Sequence, residues 1–136
     1  MLSSFGITVS TISLLLSLSL LYLSYYDLKL SNNKISKKIY KFAFSQILFT
    51  FLSFITLIIA YVISDFSLIN VYENSHTTKP LFYKISGAWG NHEGSLLLWI
   101  NILVLFSFLF LILNKEKNKN FKLYTIIFQN LLISTF

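Results

Sequence analysis

Phe42-Ala43-Phe44-Ser45-Gln46-Ile47-Leu48-Phe49-Thr50-Phe51-Leu52-Ser53-Phe54-Ile55-Thr56-Leu57-Ile58-Ile59-Ala60-Tyr61-Val62-Ile63 decides the fold: residues 42–63 contain no formal charge. A helix rises ~1.5 Å per residue, so the run reaches about 33 Å and matches the ~30 Å hydrocarbon core of a bilayer. Working outward, residues 5–26 form a second run of this kind, and residues 95–113 a third, interrupted only by Asn101 and Ser107. No basic region precedes Phe5, so a cleavable signal peptide is a poor account of the N-terminus, which reads as a retained span. The last run, residues 121–136, carries Lys122, Gln129 and Asn130 and would reach only roughly 24 Å. The expectation is one all-α domain over 1–136, a polytopic transmembrane helix bundle of four spans joined in its middle by a structured external loop, residues 64–94. The fourth span is expected to be short or truncated, as in the front portion of a longer protein.

Composition agrees. The chain is 55% hydrophobic and 18% aromatic with only 12% charged residues, too little polar surface to cover a soluble core. Every basic residue is Lys, and Phe, Ile, Asn, Ser and Tyr are heavily used, a bias of AT-rich genomes, organellar ones among them. The net charge of +6 does not point to nucleic acid, because the lysines form no basic face interleaved with aromatics. There is no cysteine, hence no disulfide or thiolate site, and redox chemistry would have to come from a partner or cofactor.

The lysines fix an orientation. Residues 27–41 hold five lysines against Asp27, a balance of 5 − 1 = +4, and residues 114–122 hold four against Glu116, 4 − 1 = +3. The 64–94 segment holds Lys79 and Lys84 against Asp65, Glu73 and Glu93, 2 − 3 = −1. The positive-inside rule then puts both lysine loops on the cytoplasmic or matrix side, and the 64–94 loop and the N-terminus on the other.

Small polar residues fall on one face of each of the first two spans: Ser10, Ser13, Ser17 and Ser24 in the first, Gln46, Thr50 and Ser53 in the second. Such stripes mark helix packing, with close backbone approach and hydroxyls bonded across the interface. A substrate path is the sharper alternative.

The 64–94 loop and the start of the third span concentrate the chemistry. Gly87, Gly90 and Gly94, three of the four glycines, are spaced by three and four and would bare one strip of helix backbone to a close neighbour. Trp89 and Trp99 are the two tryptophans and fit the interfacial aromatic belt. Glu93 falls where a helix N-terminus favours a carboxylate. His92 reads either as a polar interfacial residue or as an iron ligand or haem-propionate contact. His76, in a polar run, reads as a solvated loop residue. No zinc pattern, nucleotide loop, serine triad or pair of catalytic carboxylates can be assembled, and no metal site is expected.

The string from Leu81 to Trp99, with Gly87, Trp89, Gly90, His92, Glu93, Gly94 and Ser95 as its markers, resembles the loop and following helix near the N-terminus of the CcmF family, the large subunit of the cytochrome c haem lyase. Ser64-Asp65-Phe66-Ser67, Val71-Tyr72 and Asn74-Ser75 fit the same pattern, and Tyr83 through Ser95 is closest to the mitochondrially encoded forms. The resemblance implies haem as cofactor, handled through a complex, and a haem chaperone, apocytochrome c and other cytochrome c maturation subunits as partners. It implies attachment of haem vinyl groups to the two thiols of a Cys-x-x-Cys-His substrate, on the intermembrane or periplasmic side of the mitochondrial or bacterial inner membrane. The family's tryptophan-rich segment and haem-ligating histidines lie downstream of the matched region, so no axial-ligand role passes to His92. The alternative is a structural membrane subunit of a respiratory or transport complex, without haem chemistry.

Overall fold

The computed structural model describes residues 2–30, 34–113 and 118–135. Among them the chain is all-helical: α1 Leu2–Lys29, α2 Lys37–Ile63, α3 Ile69–Asn74, α4 Leu81–Gly90, α5 His92–Leu113 and α6 Lys119–Thr135. Three helices, α1, α2 and α5, are long and apolar enough to cross a membrane. At 17 residues, α6 reaches about 26 Å and lies outside that set.

The four long helices form a ring. α1 and α5 each pack against both α2 and α6, which face each other across the middle. At the end that carries the lysine-rich segments, Leu20, Ile39, Ala43, Leu111, Leu123 and Ile126 make one apolar cluster to which all four contribute. At the opposite end, Ala60 and Tyr61 of α2 gather Val71 of α3 and Ala88 of α4 into a second. Outward faces carry large apolar side chains, such as Leu15, Phe51 and Phe106, each more than half exposed. In water this surface would aggregate; against lipid it costs nothing.

The lysine end is closed by polar contacts to helix ends. The buried Asp27 accepts a hydrogen bond from the Ser36 amide at 2.9 Å, and Ser36 in turn caps α2. Lys119 Nζ donates to the carbonyls of Asp27 at 2.6 Å and Leu30 at 3.2 Å, placing a cation at the negative end of the α1 dipole. Lys29 lies 4.7 Å from the centre of the Tyr25 ring.

Both polar stripes face inward: Ser13, Ser17 and Ser24 of α1 and Gln46, Thr50 and Ser53 of α2 are buried, and Ser10 is half-buried. The stripe hydroxyls of Ser10, Ser17 and Thr50 bond within their own helix and not across the interface, as does the neighbouring Thr56. Ser17 Oγ donates to Leu14 O at 2.7 Å, Thr56 Oγ1 to Leu52 O at 2.7 Å, and Thr50 Oγ1 to Gln46 O. The reason is reach, since a hydroxyl beside its own i−3 or i−4 carbonyl needs no partner helix. The longer amide does cross: Gln46 Nε2 donates to Asn130 Oδ1 at 3.1 Å, joining α2 to α6 where both are buried. Near the other end Gly6, Ser10, Ser53 and Thr56 border a largely apolar cavity of about 190 Å³.

Interhelical amide bonds in lipid contribute on the order of 0.6–2 kcal/mol. A double-mutant cycle of Gln46→Leu and Asn130→Leu, read by unfolding in detergent, should return a coupling of about that size. Additive losses would show that the two amides do not meet.

Candidate functional site

Segment 64–94 is folded on α2. Ser64 ends α2 in the left-handed conformation, φ 56°, with its amide turned back to Ala60 and Tyr61. Asp65 closes the next turn: Ser67 Oγ donates to its carboxylate at 2.6 Å and Ser67 N at 3.2 Å. These bonds, the hydroxyl first, hold the Asp65 carboxyl below its ordinary range. Whatever they add to stability is present above the ordinary carboxylate pKa and fades as pH falls through the lowered one.

Asn91 joins α4 to α5. It is the C-cap of α4, and its Oδ1 accepts from Gly94 N at 2.6 Å, as an N-cap of α5 does. The same amide reaches two other helices. Asn91 Nδ2 lies 2.6 Å from Tyr61 Oη, 2.9 Å from Gly87 O and 3.1 Å from Asn70 Oδ1. Asn70 Nδ2 donates back to Asn91 Oδ1 at 3.1 Å and also to Glu93 Oε2, while Tyr61 Oη donates to Asn70 Oδ1 at 2.5 Å. Tyr61 is fully buried, so α2, α3, α4 and α5 meet at a satisfied polar knot above an apolar cluster.

The glycines do not make one strip, because the helix breaks at Asn91 and leaves Gly94 on α5. A Cβ on Gly94 would overlap the Ala88 carbonyl oxygen, and would lie 2.8 Å from Ala88 C and 3.1 Å from Asn91 Oδ1. One on Gly87 would press on the Tyr61 ring at 3.2 Å. Gly90 faces open space. Glu93 does sit in the first turn of α5, and it also accepts from Asn70. Ser95 Oγ donates to His92 O at 2.8 Å. Trp89, Trp99, His76 and His92 are exposed, and His92 takes no part in the knot.

The knot does not fit a haem iron. Its side chains are amides, a phenol and a carboxylate already committed to one another. The arrangement fixes the shape of the loop and presents His92 at its edge. Sequence reading singled out neither Asn70 nor Asn91. The N-cap pattern of Asn91 before His92-Glu93-Gly94 was the available signal; that of Asn70 was absent, since its partners lie 9, 21 and 23 residues away.

The class defined is a polytopic, all-helical membrane protein with a folded cap. Comparison with known proteins adds relatives. The chain is 62% identical over 64 residues to the cytochrome c-type biogenesis protein CycK of Bradyrhizobium diazoefficiens, covering 47% of this chain and 10% of that one. It is 69% identical over 55 residues to CycK of Rhizobium meliloti (40% and 8%) and 46% identical over 48 residues to CcmF of Escherichia coli (35% and 7%). The matched stretches span a tenth or less of these relatives' own length. No family model and no solved structure matches the chain.

Gly94→Ala should destabilise the cap by about 2–4 kcal/mol, because the clash is with backbone and cannot relax by a rotamer change. Gly90→Ala should be neutral or slightly stabilising. Limited proteolysis of residues 64–94 reads both; equal resistance of the two variants would contradict the packing at Gly94.

Proposed function

We propose that the chain is the N-terminal helical portion of a membrane haem lyase subunit in cytochrome c maturation. The observation that carries this reading is identity above 60% to two proteins named for cytochrome c biogenesis. The resemblance from Leu81 to Trp99 supports it, as does a cap whose shape is fixed by a network of half-buried polar contacts.

In this reading the lysine end faces the matrix and the cap faces the intermembrane space of a mitochondrion, or the cytoplasm and periplasm in a bacterium. The chain's own contribution is to hold a preformed surface beside the membrane. Haem handling and its attachment to apocytochrome c thiols belong to the whole complex, with a haem chaperone and further maturation subunits as partners. His92, exposed at the first position of α5, is the residue proposed to meet such a partner.

His92→Ala should lower the yield of holo-cytochrome c about tenfold, the size of one lost contact of ~1.4 kcal/mol. Membrane insertion and protease resistance of the cap should stay unchanged. Undiminished yield at equal expression would remove the functional role of the loop and favour a structural membrane subunit.

A further inference from the structure

Three contacts set the depth of α4. Lys84 Nζ donates to Ser64 Oγ at 2.7 Å, level with the end of α2. One turn further on, a Cβ on Gly87 would touch the Tyr61 ring, and Ala88 packs into the cluster with Ala60 and Tyr61. As α4 advances from residue 84 to residue 88, its neighbours on α2 step back from 64 to 60. The helix therefore runs antiparallel to the last turn of α2 and descends beside it by roughly one turn, about 6 Å. Its C-terminus is joined to the apolar span α5 by Asn91 alone.

The side of α4 turned away from the bundle is aromatic. Phe82 is 77% exposed and Trp89, two turns later on the same face, 41%. Tyr83 is exposed beside Phe82, their rings 6.1 Å apart. The only charged side chain of α4, Lys84, is drawn toward Ser64. Ile63 at the end of α2 and Trp99 on α5 are also exposed, large and apolar. An uncharged aromatic face at the depth of a span's last turn, continuous with lipid-facing spans, matches the interfacial zone of a bilayer, where Trp and Tyr rings settle.

We propose that α4 is an interfacial helix whose Phe82–Trp89 face is seated in the lipid headgroup and upper acyl region, with Trp89 deeper than Phe82. The proposal rests on the membrane-spanning reading of α2 and α5 and is independent of the haem lyase reading. It leaves α3 as the part of the cap offered to soluble partners.

The two tryptophans make the test direct. With Trp99→Phe, Trp89 is the sole indole of the chain, reconstituted in phosphatidylcholine nanodiscs. Lipids brominated high on the acyl chain should remove most of its emission, and aqueous iodide little. Phe82→Trp, placed in a Trp89→Phe, Trp99→Phe background, should be quenched less by the same lipids and more by iodide. If Trp99→Phe fails to fold, the difference in quenching between the unaltered chain and Trp89→Phe reports Trp89 instead. Full iodide quenching of Trp89 without lipid quenching would put the face in water, and silence to both quenchers would put it under another protein segment. Either result overturns the proposal.

Discussion

The amide of Asn91 is the constraint on which the loop end depends. In one side chain it ends α4, starts α5 and reaches the phenol of Tyr61 and the amide of Asn70. Polar groups withdrawn from water at the mouth of an apolar bundle are costly unless satisfied, and here the buried Tyr61 and the half-buried Asn70 and Asn91 each serve as donor or acceptor for the others. A one-residue junction leaves no slack, so the backbone of α5 must pass against the end of α4. Gly94 meets that requirement, since any Cβ there would enter the Ala88 carbonyl.

The two ends of the bundle solve different problems. At the lysine end, cations lie beside helix C-termini: Lys119 on the carbonyls ending α1, and Lys29 against Tyr25. The charges that orient a membrane protein thereby also cap its helices. At the other end the charges of residues 64–94 nearly cancel, amide and aromatic surface is plentiful, and the segment is tied down instead of left as a tether. A rigid surface suits a site that must receive a partner in one orientation, because ordering is completed before binding.

The long helices were legible because apolar runs dominate residues 5–26, 42–63 and 95–113, and a bilayer tolerates no other regular backbone for such runs. Their inward faces were legible too, since the serine and Gln46-Thr50-Ser53 stripes repeat at helical spacing. Bonding was not, because a hydroxyl chooses between its own helix and a neighbour by distances that spacing alone does not supply. Within residues 64–94, α3 and α4 were hidden by their shortness. The close approach at Gly94 was anticipated only as a strip shared with Gly87 and Gly90. The break at Asn91, which divides that strip, follows from contacts to Tyr61 and Asn70, 30 and 21 residues earlier in the chain. Non-local pairing of that kind leaves no periodic trace in a single sequence.

Amide hydrogen exchange of the reconstituted chain, resolved over residues 64–95, tests the central claim that this segment is a cap locked through Asn91. The account predicts slow exchange from Leu81 through Ser95, with the Gly94 amide among the most protected and protection lost across that stretch on Asn91→Ala. Rapid exchange throughout residues 64–94 in the unaltered chain, or protection indifferent to Asn91→Ala, would contradict it.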